Sequence, residues 1–196
     1  GDVAQKILFA RKFIGWKKVV EYLGLDEDSI IQLEVSFRCT VPIMTLAYKV
    51  AGDPKTVEGR AGPAPDWKKV GNFVDLTEAL ADWSRGLLRA DPYKLVALIC
   101  RYPKQAMELK EEMENYLPGE VRLGHRDQFS FEPGVLVTNI HQVKGLEFDS
   151  VALVEPDEEN YPVKREESRN MIYVGITRTQ EDLLLATIRP YSPVLF

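Results

Sequence analysis

Apolar residues recur along this chain with two alternating periods, and the switches between them outline its elements. Phe9, Phe13, Trp16, Val20 and Leu23 fall every three or four residues with Gly24 next, which predicts an amphipathic helix and its stop. Ile30 to Val35 reads as a strand. Thr40 precedes Pro42 and a stripe of Ile43, Leu46, Ala47 and Val50 that stops at Gly52, so Thr40 is the expected N-cap of a helix with proline in its first turn. Ala51 to Asp66 holds Pro54, Pro63 and Pro65 with Gly52, Gly59 and Gly62 and reads as a loop inside one domain, with a linker between two small units as the alternative.

A short strand near Val70 to Val74 should lead into a long helix, because Asp75 and Glu78 have capping-box spacing before Leu76, Ala79, Leu80, Trp83 and Leu87. Leu95 to Cys100 is an unbroken apolar run, and Ala106, Leu109, Met113 and Tyr116 repeat at helical spacing before Pro118-Gly119. Val135 to Ile140 and Val151 to Val154 are further strands, Met171 to Ile176 sits in a last helix, and Leu183 to Ile188 is a final strand. Continuous apolar strands imply burial on both faces. Strands alternating with helices imply a mostly parallel central sheet in a three-layer α/β sandwich, with ligands expected at the carboxyl ends of the strands.

Composition narrows the function classes. A chain of 196 residues with 45% hydrophobic and 28% charged residues is a soluble globular protein with a sizeable core. Its formal charge of -5 gives no whole-surface attraction to phosphate or anionic lipid, so any nucleic-acid contact must be local. Cys39 and Cys100 are too few for a disulfide framework and lack the paired spacing of a zinc site, so they read as reduced, buried thiols. The absence of a long apolar run, a signal peptide and an initiator methionine predicts a cytoplasmic chain truncated at its front, with no membrane partner.

Three segments carry chemistry. Val137 to Asp149 runs from a buried strand into a polar turn with Thr138, His141, Lys144, Gly145 and Glu147, groups suited to phosphate, ribose or nucleic-acid contact and equally to an ordinary connecting loop. Arg178 ends an otherwise apolar helix, where it either favours the helix dipole or faces a developing phosphoryl charge. Ser36-Phe37-Arg38 closes a strand with an aromatic ring beside an arginine, either a core residue next to a solvated one or a base stack next to a phosphate contact. The two arginines converge only if the sheet order brings their segments together. There is no phosphate loop, no Gly-x-Ser-x-Gly elbow and no His-Glu-x-x-His pair, and His125 and His141 alone make a metal cluster a poor reading.

In order, the segments resemble the motifs of the UvrD/Rep-like branch of superfamily 1 helicases. Gly1-Asp2-Val3-Ala4-Gln5 looks like the end of motif III and Ser36-Phe37-Arg38 like motif IV. Thr138 to Phe148, with His-x-x-Lys-Gly-Leu-Glu-Phe, looks like motif V, and Tyr173 to Thr179, with Tyr-Val-x-x-Thr-Arg, like motif VI. The resemblance implies a RecA-like (P-loop NTPase-like) second helicase domain without a phosphate loop. Residues 1–24 would be the end of motif III and a connecting helix, and residues 25–196 the domain itself, too short for the large insertion domain of UvrD and Rep.

By the family pattern, Gln5 senses the γ-phosphate, and Arg38 and Arg178 approach it as arginine fingers. Glu147 binds the ribose and Phe37 stacks on adenine, with Gly145 in the turn beside them. Thr138, His141 and Lys144 touch single-stranded DNA, joined by Arg101 from Cys100-Arg101-Tyr102. ATP would lie between this domain and a first RecA-like domain of the same full-length chain, which holds the phosphate loop and most of the Mg²⁺ contacts. Ala10 stands where these enzymes carry a stacking tryptophan. The short insert also fits HelD-like proteins, so an ATP-driven remodeller of RNA polymerase is the alternative, with a repair-protein partner under the helicase reading. A non-catalytic nucleic-acid-binding module is the third.

Overall fold

The computed structural model describes residues 15–26, 28, 38–125 and 129–196. The strand expected at Ile30 to Val35, the front of the first helix, and the candidates Gln5 and Phe37 lie outside the described residues. Among the described residues, β1 (Asp66–Lys69), β2 (Leu95–Cys100), β3 (Val121–Leu123), β4 (Gly134–Asn139), β5 (Phe148–Val154) and β6 (Thr179–Thr187) form one sheet. Its order is β1-β6-β5-β2-β4-β3, and every neighbouring pair is parallel.

Side-chain alternation along the strands divides the interior into two cores. Val96, Leu98 and Cys100 of β2 pack with α3 (Phe73–Ala90) and α4 (Pro103–Met113), through Leu76, Leu80, Leu109 and Met113. Leu95, Ala97 and Ile99 face the other way, onto Ile43, Ala47 and Val50 of α2 (Val41–Ala51) and Ile172, Val174 and Ile176 of α5 (Glu166–Ile176). A buried aliphatic side chain contributes roughly 1.5–3 kcal/mol. β2, buried along its whole length, is therefore the strand both cores share. The three-layer, parallel α/β sandwich is the one the apolar runs predict.

The departures are local. The strand expected near Val70 to Val74 lies earlier, at β1, and α3 starts at Phe73. Its cap is Asn72, whose Oδ1 accepts the Asp75 N–H at 2.9 Å while its Nδ2 donates to Asp75 Oδ2 at 2.9 Å, so Asp75 is the partner of a cap one turn ahead of the expected one. Thr40 stands at the N-cap of α2 but its hydroxyl makes no capping bond. The Val41 N–H goes to the carbonyl of Arg60 at 2.8 Å, and Pro42 has no N–H to cap. β3 was not foreseen, because three residues are too few to display a period. The remaining described α-helix, α1 (Trp16–Tyr22), ends before Gly24 as expected.

The connection from β4 to β5 governs everything that follows. β4 and β5 flank β2, with Asn139 level with Cys100 and Ser150 level with Val96. Residues 140–147 must therefore travel about 20 Å back along the strands, and they do so without a helix, in less than the dozen residues a parallel crossover usually takes. Ile140 and Val143, fully buried, and Leu146, partly so, take the place of a helix against the sheet. The polar residues between them are left outside.

Candidate functional site

That crossing ends beside two arginines. Glu147 is the last residue before β5, and its carboxylate meets Arg38 Nη2 at 2.7 Å, with both side chains about two-fifths exposed. Arg178 lies in the turn between α5 and β6, and the residue is 1% exposed. Its Nε donates to the Val174 carbonyl at 3.1 Å, Nη1 to the Leu146 carbonyl at 3.1 Å and Nη2 to Thr177 Oγ1 at 3.2 Å. Its backbone carbonyl in turn accepts the Phe148 N–H at 2.9 Å. Arg178 thus does what the dipole argument requires, bonding the last turn of α5, and also fastens the end of the 140–147 segment to that helix.

The electrostatics follow from this crowding. Burial pushes the Arg178 guanidinium below its ordinary pKa and neighbouring Arg38 adds to the effect, while Cys39 and Glu147 oppose it. Cys39, between the two cations, is pushed up to about 11, because burial outweighs the pull of Arg38 and Arg178. The site concentrates two permanent cations around one carboxylate, an arrangement suited to a polyanion. It lies at the amino ends of β5 and β6, whereas His141 and Arg101 lie at the carboxyl ends, where ligand groups were expected. The reason is the crossing itself, which carries Glu147 to the opposite ends of the strands from His141.

Gly145 takes φ +86°, and a Cβ there would meet nothing within 4 Å. The turn therefore needs glycine for its backbone angle alone. Lys144 beside it is exposed.

A second cluster sits at the carboxyl ends of β2 and β4. Arg101, 6% exposed, has Nη1 2.9 Å from His141 Nε2 and donates from Nε to the Asn160 carbonyl at 3.3 Å. Its guanidinium lies 4.7 Å from the Tyr102 ring centre and 5.7 Å from that of Tyr161. Arginine can only donate, so His141 Nε2 is the acceptor and the proton sits on Nδ1. Burial lowers the His141 pKa and the Arg101 charge lowers it further, both favouring the neutral ring. Gln105 completes the cluster, donating to Asn160 Oδ1 at 2.8 Å and accepting the Tyr102 N–H at 3.0 Å.

Of the expected nucleic-acid residues, His141 and Lys144 are exposed while Thr138 and Arg101 point inward. Thr138 is 0% exposed and its hydroxyl donates to the Gly124 carbonyl at 2.8 Å, so its place is in the interior rather than at a surface. Arg101 orients His141. A cleft of about 360 Å³ lies at the carboxyl ends of β2 and β5, away from both arginines, lined among others by Cys100, Glu155 and Arg189. Among the described residues, no group of histidine, cysteine, aspartate and glutamate is placed to hold a metal ion, and no helix is long and apolar enough to cross a membrane.

Sequence reasoning missed Asn160 and Arg60. Asn160 had a signal, since its N–H meets Asp157 Oδ1 at 2.9 Å in an Asp-x-x-Asn turn. Arg60, in the proline- and glycine-rich loop, had none.

Residues 94–190, about half of the chain, match the family model of the UvrD-like helicase C-terminal domain. That span contains Arg101, Thr138, His141, Lys144, Gly145, Glu147 and Arg178, and Arg38 precedes it. No curated protein matches the chain by sequence. Among solved structures, the C-terminal domain of a possible DNA helicase from Lactobacillus plantarum WCFS1 has the same fold, with TM-score 0.68 and 24% identity over 82% of this chain and 92% of that one. The C-terminal domain of the DEAD-box protein Dbp5 matches at TM-score 0.46 and 16% identity, over 64% of this chain and 76% of that one. The Hef helicase domain of Pyrococcus furiosus matches at 0.41 and 17%, over 59% and 26%.

Proposed function

Residues 94–190 carry a UvrD-like helicase C-terminal domain, and from that premise we propose that the chain is the second RecA-like motor domain of an ATP-dependent DNA helicase or translocase. Residues 25–196 form this domain and residues 1–24 lead into it from a first RecA-like domain. The observation that carries the reading is that Arg38 pairs with Glu147 while Arg178 holds the adjoining Leu146 carbonyl, so that three separated segments meet at the amino ends of β5 and β6. An ATP terminal phosphate is the ligand that two permanent, planar cations suit, because charge spreads over its oxygens in the transition state.

The two arginines would contribute differently. Arg38 is tied to Glu147 by a half-exposed ion pair worth about 0–1 kcal/mol, so turning it toward a phosphate costs little. Arg178 is held by buried carbonyls and acts from a fixed position. Glu147, released by Arg38, is then available to a ribose hydroxyl, with Phe37 against the adenine and Gln5 near the γ-phosphate by family resemblance. His141 and Lys144 meet the single strand at the start and middle of the same crossing. The phosphate loop and the Mg²⁺ contacts come from the first domain, so this domain alone hydrolyses ATP at no useful rate.

The test is steady-state ATP hydrolysis by the full-length protein, with and without single-stranded DNA, beside Arg38→Ala and Arg178→Ala. DNA-stimulated hydrolysis that falls about 10³-fold or more in either variant, the scale of a lost arginine finger, supports the proposal. Hydrolysis indifferent to DNA supports a protein-driven remodeller instead, and unchanged hydrolysis in both variants removes the arginines from the reaction.

A further inference from the structure

Arg60 touches both arginine-bearing segments. Its Nη2 donates to the Arg38 carbonyl at 3.3 Å and to the Gln180 carbonyl, two residues beyond Arg178, at 2.5 Å. Nη1 donates to Glu181 Oε1 at 3.2 Å, and the Arg60 carbonyl accepts the Val41 N–H at 2.8 Å. Gly62 then passes so close over the turn before α2 that a Cβ on it would stand 2.3 Å from Thr40 Cγ2. Residues 60–62 therefore form a strap lying across residues 38–41.

The strap is anchored at its far side. Glu181 also pairs through Oε2 with Lys94 at 3.0 Å, and Lys94 pairs with Asp182 at 2.6 Å. Burial alone would lower the Lys94 pKa, but these two carboxylates hold it above its ordinary value. Asp182 accepts in turn from Ser150 at 2.8 Å. The starts of β2, β5 and β6 are thus joined to the guanidinium of Arg60 through one chain of ion pairs and a hydrogen bond.

We propose that Arg60 is a positioning residue that fixes the separation of Arg38 and Arg178 on the terminal phosphate of a bound nucleoside triphosphate. This rests on the ATP reading above. One guanidinium joins the backbones of two segments more than a hundred residues apart in sequence, its Nη2 bonding the Arg38 and Gln180 carbonyls while Nη1 meets Glu181. Lysine, with one nitrogen, cannot fill both the Nη2 place between the carbonyls and the Nη1 place at Glu181. Arg60 itself need not touch the nucleotide, since its reach is taken up by Arg38, Gln180 and Glu181.

The experiment compares kcat and KM for ATP in the full-length protein carrying Arg60→Ala, Arg60→Lys or Glu181→Gln, with thermal melts of each and with Arg38→Ala and Arg178→Ala as references. Misplacing the finger by about 1 Å should lower kcat on the order of 10- to 100-fold, with KM little changed, partial recovery in Arg60→Lys and a smaller loss in Glu181→Gln. A purely structural role would lower the melting temperature and leave kcat per folded molecule intact, which overturns the proposal. Should Arg60→Ala fail to fold, wild-type kcat in both Arg60→Lys and Glu181→Gln overturns it equally. If Arg38→Ala and Arg178→Ala both hydrolyse ATP normally, the ATP reading fails and the positioning role falls with it. Normal hydrolysis by Arg60→Ala beside a dead Arg38→Ala sinks the positioning role alone.

Discussion

Two glycines test whether the turn after Lys144 is set by backbone angle alone. Gly145 has φ +86° with open space where a Cβ would be, and Gly86, exposed on α3, has the same open space within a helix of 18 residues. Neither substitution creates a clash, so Gly145→Ala and Gly86→Ala differ only in the conformation that alanine must adopt. At Gly145 the left-handed angle costs roughly 1–2 kcal/mol, of which the stiffer unfolded chain returns about 0.4–1 kcal/mol. The net is a loss near 1 kcal/mol. At Gly86 alanine gains about 0.8–1 kcal/mol of helix propensity. For a chain of this size each kcal/mol shifts the midpoint by about 2–4 °C, so thermal melts should move a few degrees in opposite directions. Gly145→Asn should fall between wild type and Gly145→Ala, because asparagine tolerates this region better. Shifts of the same sign in the two alanine variants, or an asparagine as costly as alanine, would refute the reasoning.

Arg178→Ala should destabilise the fold as well as affect hydrolysis: the Leu146 carbonyl loses its guanidinium partner, while Val174 keeps the Thr177 hydroxyl, for a cost of about 1–3 kcal/mol measurable by urea unfolding. Both thiols should resist Ellman's reagent until the chain is denatured and then titrate together, since burial raises the pKa of Cys39 and of Cys100 and both are buried. Fast labelling of Cys39 in the native state would show that the arginines, not burial, set its reactivity. The depressed His141 pKa means that the unfolded chain takes up a proton first as pH falls through about 6.5. His141 should therefore remove stability from that point down to its folded pKa, a slope visible as the difference between wild-type and His141→Asn melts across pH.

The apolar runs made most of the sheet legible. Leu95 to Cys100 could be read to the residue because both its faces are buried, leaving no polar position to blur the run. α2 was legible through Pro42 and Gly52, whose backbone preferences act locally. The cap of α3 was misread because Asp75 and Asn72 have equally good capping chemistry, and only the end of β1 at Lys69 selects Asn72. β3 left no pattern in three residues.

The sequence by itself determined which residues could carry the chemistry: the segments holding Arg38, Glu147 and Arg178 were each identifiable from residue type and local pattern. It also determined a parallel sheet buried on both faces, since hydrophobic period is a local property that survives without knowing the partner. What only the tertiary structure decided is which of those groups meet. The strand order and the helix-free crossing bring Glu147 to Arg38 and Arg178 while leaving His141 with Arg101 at the carboxyl ends of the strands. It also decided that Thr138 and Arg101 turn inward, and that Arg60 braces both arginine segments from a loop with no signature of its own. Contact between residues far apart in sequence depends on the global path of the chain, and no local period encodes that path.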